Sequence, residues 1–305
     1  MRQDAHNRLA SQFATHRIVR RLHDVPPHEV YEVRVDGRRA VYKGDTGPTG
    51  SAATEGRVIA FVGDRTSVPV PEVLLVGDDY YVAAWHPNAP APDEGREVDE
   101  TWARAAGRAL ATLHDETAPL LDGYGQFHPE DDGVATAGED DWRAAAIAYV
   151  RRHRPVLARH GHADAADAVA DFLADRPEVF AGSDGPVCCH GWATPEHVAV
   201  VDGRVACVVD FEHAIAAPGE FDYWRTALPT FDPDTDASQR AFRDGYESVR
   251  SIPAGFERRR PLYVALNGVY YLESLYVQNQ YGAEETAERA ERFRNGVFAA
   301  LEGIS

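Results

Sequence analysis

Hydrophobic and polar positions follow two different periods along this chain, and the change of period divides it. Over the first ninety or so residues, short β-rich runs alternate with turns. "EVYEVRVDG" and "RRAVYKGD" form a predicted hairpin around Asp36-Gly37, an Asp-Gly pair being a strong two-residue turn signal. "TEGRVIAFVGD" sets Val58, Ile59, Phe61 and Val62 opposite its polar residues and predicts a helix. "PEVLLVGDDYYVAAW" predicts a second hairpin, and "HPNAPAPDEG" then breaks all regularity with three prolines, as a connector does.

Beyond the connector the period becomes helical. "DETWARAAGRALATLHDETA" opens on a cap at Asp99 and aligns Trp102, Ala106, Leu110 and Leu113 on one face. Further helices are expected over about 141–160, 163–175, 236–250, 256–280 and 284–301. The one β-rich stretch expected in this half is "PVCCHGWATPEHVAVVDGRVACVVDFEHA", with a turn at Asp202-Gly203. The pattern predicts an α+β chain: a small β-rich lobe at 1–88 and a larger, mainly helical lobe at 89–305. No internal repeat or low-complexity tract is present.

Charge narrows the function classes. Of 305 residues, 49 are acidic and 31 basic, a net charge of −18, which argues against a nucleic-acid partner. Lysine appears once, at Lys43, against 30 arginines, and methionine once. This composition suggests a salt-adapted, halophilic protein. The start, "MRQDAHNRLASQF", has no apolar signal core, so the expected location is cytoplasmic. "PLYVALNGVYYLESLYVQNQYG" is the longest apolar stretch, but Asn267, Glu273, Gln278 and Asn279 interrupt it. A buried helix, and no membrane partner, is expected. Cys188, Cys189 and Cys207 fit neither a zinc knuckle nor a disulfide framework; buried strand thiols are expected.

Two segments carry candidate chemistry. "RVACVVDF" delivers Asp210 at the end of an apolar strand, where a carboxylate can face a cleft. His190-Gly191 follows the buried run Val187-Cys188-Cys189, so its tight loop can reach the same cleft. Lys43, in "AVYKGD", is either drift or a compact ammonium placed where arginine does not substitute.

Through nearly all its length the chain resembles the aminoglycoside phosphotransferase and choline kinase group, small-molecule relatives of protein kinases. "AVYKGD" is similar to that group's third-strand lysine motif, and Glu55 falls where a helix glutamate pairs with the lysine. "VPVPEVLLVGDDYYVAAWHPN" resembles its strands and hinge, where Ala84 and His86 would meet the nucleotide. "GRALATLHDETA" resembles the first large-lobe helix. "HGWATPEHVAVVDGRVACVVDFEHAIAAPGEFDYWR" resembles the catalytic loop, metal aspartate and following Asp222 segment, within 187–225. The resemblance implies a two-lobed protein-kinase-like fold that binds ATP with magnesium, manganese being possible. Lys43 would hold the α/β-phosphates, Glu55 would orient it, Asp210 would bind the metal, and a small hydroxyl compound would accept phosphate.

Three departures bear on turnover. The group's loop reads His-Gly-Asp, four residues, then Asn; here it reads His190-Gly191-Trp192, four residues, then His197. The aspartate that would accept the hydroxyl proton is Trp192, and an indole offers only a donor N–H. The metal-binding asparagine is His197, whose imidazole suits manganese or zinc better than magnesium. Glu196 and Glu212 are candidate replacement bases, or a solvated loop charge and support behind the loop. The phosphate loop, "RRLHDVPPHEVYEV", has no glycine, and Pro26 and Pro27 offer no amide; His23 and His28 are candidate phosphate contacts. Three functions remain open: a kinase with a modified loop, a pseudokinase that binds nucleotide or partners without turnover, and a ligand-binding module that has lost nucleotide as well.

Overall fold

The structure, a computed structural model, describes residues 2–47, 49–90, 98–130, 133–136, 138–231 and 236–304. Helix α1 (Arg2–Gln12) leads into β1 (His16–Val25), β2 (His28–Val35) and β3 (Arg38–Asp45); then follow α2 (Ala52–Arg65), β4 (Val73–Val76) and β5 (Tyr80–Ala84). The strands form one antiparallel sheet in the order β1-β2-β3-β5-β4. Asp36 and Gly37 both take left-handed φ (44° and 81°), as the predicted hairpin turn requires.

Strand alternation decides what each face of this sheet meets. Tyr31, Val33, Tyr42, Tyr80 and Val82 pack with Ala5 and Leu9 of α1 in a small core. Tyr81 and Ala83, one residue out of phase, join Val58, Ile59 and Val62 of α2 in the main core, which continues through the large lobe. Lys43 follows Tyr42 and therefore points to the α2 side.

The large lobe contains α3 (Glu100–Thr117), β6 (Gly125–Glu130), β7 (Gly133–Thr136), α4 (Trp142–Arg159), α5 (Ala163–Ala174), β8 (Val187–Cys189), β9 (Val198–Val201), β10 (Arg204–Val208), β11 (Ile215–Ala217), α6 (Gly219–Thr230), α7 (Asp236–Glu247), α8 (Phe256–Gln278) and α9 (Ala283–Glu302). Asp99 caps α3 by accepting from Trp102 N at 2.7 Å. The hairpin β9–β10 turns at Asp202-Gly203, both with positive φ, and β7-β6-β11-β8 form a four-stranded sheet. The expected two-lobed, protein-kinase-like α+β architecture is present. Cys188, Cys189 and Cys207 are buried free thiols.

Four elements stand out against expectation. β6 and β7 add strands where none were expected, because "GQFHPE" is short and polar with no alternating pattern. Helix α6 escaped because residues 219–227 are buried on every side, leaving no polar face to mark a period. Among its described side chains, α1 buries Ala5 and Leu9 in a largely polar helix. Part of the three-proline connector, residues 91–97, lies outside the described residues.

Helices α3 and α7 cross at glycines. A methyl at Gly107 would meet the carbonyl oxygen of Phe242, and one at Gly245 that of Arg104. Gly→Ala inside a helix ordinarily stabilises by about 1 kcal/mol. Here the obstacle is backbone, so Gly107→Ala is expected to destabilise by roughly 1–3 kcal/mol. Urea unfolding checks this; a stabilised protein would show that the helices separate without cost.

Candidate functional site

Lys43 is the meeting point of both lobes. Its Nζ lies 2.8 Å from Glu55 Oε2, 2.8 Å from Asp210 Oδ1 and 2.9 Å from Glu212 Oε2. The placement follows from local structure. Asp45, at the end of β3, accepts from Ala52 N at 2.9 Å and so fixes the start of α2, whose first turn carries Glu55. Lys43 pairs with Tyr81 across the sheet, and the Tyr81 hydroxyl donates to Glu55 Oε1 at 3.0 Å. Asp210 leaves β10 in a left-handed conformation (φ 68°), which separates its carboxylate from the buried Phe211.

The electrostatics follow from burial and unequal charge. Burial alone would lower the Lys43 ammonium, but Asp210, Glu212 and Glu55 outweigh it and raise it well above its ordinary value. Burial pushes the Glu55 carboxyl up to about 7 despite Lys43. Asp210 would also rise on burial, yet Lys43 and His197 hold it well below the usual range. Against burial, Lys43 likewise holds Glu212 down. His28 closes this end: its ring is buried, 3.0 Å from Asp45 Oδ1 and 3.3 Å from Glu212 Oε2, whereas His23 is exposed.

The loop at 190–197 is anchored from below. Asp222 accepts from His190 N (2.6 Å) and Gly191 N (2.8 Å) and contacts His114 Nε2 at 3.0 Å; His114 in turn meets the Tyr246 hydroxyl at 2.9 Å. His114, Cys189 and Asp222 lie close enough to hold a metal, but all three are buried and Asp222 is spent on the loop. His190 is locked as a neutral ring: Nε2 donates to Val209 O (3.0 Å) and Nδ1 accepts from Trp192 N (3.1 Å). Burial pushes its pKa down to about 4. Gly191 has φ 82° and lies against the His213 carbonyl, where a Cβ would collide.

The remaining loop residues separate into two sides. His197 Nδ1 donates to Trp192 O at 2.9 Å, and Nε2 lies 3.3 Å from Asp210 Oδ2. Burial opposes charge on this ring, but Asp210 raises its pKa to about 9. Trp192 packs against α8, its ring 5.6 Å from that of Tyr271 and 6.3 Å from that of Tyr270. Glu196 is exposed and its carboxylate accepts from the Thr194 hydroxyl at 3.3 Å. At the sheet edge, Ala84 N donates to Glu72 O, while His86 Nδ1 accepts from Asn88 N at 3.3 Å.

The structure thus brings Lys43, Glu55, Asp210, Glu212 and His197 together, with His190 behind them. Glu196, Ala84 and His86 lie outside this contact set. Sequence reasoning did not single out Tyr81, His213, Arg225 or Tyr270. His213 Nε2 bridges Glu212 Oε1 (3.1 Å) and the Tyr270 hydroxyl (2.8 Å); its only sequence signal was adjacency to Glu212.

A sheet-bearing lobe, a helical lobe and a lysine–glutamate–aspartate cluster between them define a protein-kinase-like molecule. Residues 27–262 match the phosphotransferase enzyme family, and the chain belongs to that family. No curated protein matches it. Among solved structures, an aminoglycoside phosphotransferase crystallised with ADP and hygromycin B is similar at 15% identity, covering 97% of each chain with a TM-score of 0.66. A candidate fructosamine-3-kinase from Thermobifida fusca is similar at 18% identity, covering 97% of this chain and 98% of that one, with a TM-score of 0.69. A microcompartment-associated aminopropanol kinase is similar at 17% identity, covering 98% and 96%, with a TM-score of 0.62. At such identities the likenesses bear on the fold. No helix among the described residues is long and apolar enough to cross a membrane.

A pH dependence follows from His197. Its folded pKa is raised, so the stability it contributes is fully present below pH 6.5 and is lost as pH rises to about 9. In metal-free buffer the native chain is expected to lose roughly 2–3 kcal/mol across that window, and His197→Asn to show a flatter profile. Thermal unfolding at several pH values checks this; identical slopes would remove the His197–Asp210 ion pair from the account.

Proposed function

We propose that the chain binds a nucleoside triphosphate, ATP, with a divalent cation in the cleft between the sheet and the Asp210 loop. The observation that supports this is the Lys43 cluster. Oxygens of Glu55, Asp210 and Glu212 lie within 4.8 Å of one another around the one ammonium of Lys43. An all-oxygen donor set fits a hard divalent cation such as magnesium. With metal bound, Asp210 and Glu212 would hold it, the metal neutralising phosphate charge, and Lys43 would be released toward the phosphates while Glu55 keeps it oriented. The His197 imidazole beside Asp210 gives manganese a nitrogen donor in the same place. Ala84 and His86 would border the adenine.

On this reading the native chain binds without efficient transfer, as a pseudokinase does. Position 192 carries an indole, Glu196 is exposed on the loop, and Glu212 is held deprotonated against Lys43, where it accepts a proton poorly. The second reading, phosphate transfer to a small hydroxyl compound, is favoured by the intact Lys43–Glu55–Asp210 arrangement and the Asp222-anchored loop.

ATP at about 100 times its Kd is expected to stabilise the native chain by about 2.7 kcal/mol. This stabilisation should require magnesium or manganese and be mostly lost in Asp210→Asn. Thermal-shift titration with each metal checks it. No shift with ATP and metal, or an equal shift in Asp210→Asn, would overturn the proposal.

A further inference from the structure

The indole at position 192 has a partner beneath the loop. Arg225, on α6, is 2% exposed, and among the described residues its partners include no carboxylate. Its Nε donates to the carbonyl oxygen of Gly191, the residue before Trp192. Nη1 donates to the Tyr149 hydroxyl at 2.7 Å and to Asn267 Oδ1 at 3.3 Å. The guanidinium carbon lies 3.9 Å from the Tyr270 ring centroid and 5.8 Å from that of Trp192. A buried guanidinium is thus satisfied by neutral oxygens and aromatic faces, an arrangement open to arginine through its planar, weakly hydrated charge.

The surroundings point the same way. Asn267, already in contact with Arg225, has an Nδ2 with no partner, and the Tyr271 hydroxyl, whose ring meets Trp192, also has none. The wall behind position 192 therefore supplies a cation and spare donors. An indole fits such a wall through its π face. A carboxylate would be drawn into a charge-assisted ion pair instead.

We infer that Arg225 is a positioning residue that acts with Trp192 as one unit: it holds the loop at Gly191, lies against the Tyr270 and Trp192 rings, and sequesters any carboxylate placed at 192. The loss of a proton acceptor in this loop is then fixed by two residues rather than one, and Trp192→Asp alone leaves the new carboxylate paired with Arg225. A base held by a cation has a lowered proton affinity and poor reach toward a hydroxyl. The turnover arm of the test below rests on the nucleotide-binding reading above; the unfolding arm does not.

The experiment compares the native chain, Trp192→Asp, Arg225→Met and the double variant. Urea unfolding of the four closes a cycle, and a favourable interaction between the introduced carboxylate and Arg225 is expected. ATP hydrolysis with magnesium or manganese is expected to be at least about tenfold faster in the double variant than in Trp192→Asp, a modest part of the roughly 10²–10⁴ attributed to a positioned base. Arg225→Gln, a second neutral variant that can still donate to Gly191, is read the same way should Arg225→Met not fold. Additive unfolding effects, or hydrolysis in Trp192→Asp equal to that of the double variant, would overturn the inference. An absent ATP-induced thermal shift in the native chain would instead overturn the nucleotide reading, leaving the unfolding cycle to decide the role of Arg225.

Discussion

A single buried ammonium holding three carboxylates is the constraint on which the rest of this molecule depends. Lys43 Nζ reaches Glu55 within its own lobe and Asp210 and Glu212 across the cleft, each within 2.9 Å. A buried charge without partners costs several kcal/mol, so the elements that deliver these groups must be accurately aligned. The β3–β5 register sets Lys43 beside Tyr81, the Asp45 cap sets the first turn of α2, and the left-handed turn at Asp210 aims its carboxylate back into the cleft. The cluster thereby joins the two lobes through chemistry as well as through apolar packing.

The loop at 190–197 is held by its backbone rather than by the side chain at position 192. Asp222 takes up the amides of His190 and Gly191, and His190 is fixed as a neutral ring between Val209 and Trp192. These bonds depend on backbone groups and are indifferent to the side chain at 192. An aspartate can therefore give way to an indole without unmaking the loop, provided the space behind it suits the ring, which Arg225, Tyr270 and Tyr271 ensure. Next to Lys43, the His197 ring supplies a second cation to Asp210, so both carboxylate oxygens are engaged by protein groups.

Much of this was legible in the sequence where a local rule had a single solution. Both Asp-Gly turns, the Asp99 cap and the helical period of α3 are local signals, and the structure follows them. Lys43, Glu55 and Asp210 were legible because spaced motifs carried them. What escaped depends on tertiary burial. Helix α6 shows no period because residues 219–227 are buried on all sides, so Arg225 within it reads as an ordinary charged position. Tyr270 and Tyr271 read as core residues of a long apolar helix, and only the fold turns them toward Trp192. The burial of His28 was not legible, because its contact with Glu212 joins residues far apart in the chain.

Lys43 acts as the shared counter-charge of the cleft. The most direct test of this role is an unfolding cycle on the ligand-free chain with Lys43→Met, Glu212→Gln and the double variant. Lys43→Met alone should destabilise by roughly 3–5 kcal/mol, because it strands the buried Glu55 carboxylate and two half-buried ones beside it. Neutralising Glu212 as well should recover part of that loss, giving an interaction of about 1–3 kcal/mol between the two positions. Effects that simply add, within about 0.5 kcal/mol, would contradict the claim that one ammonium organises the site.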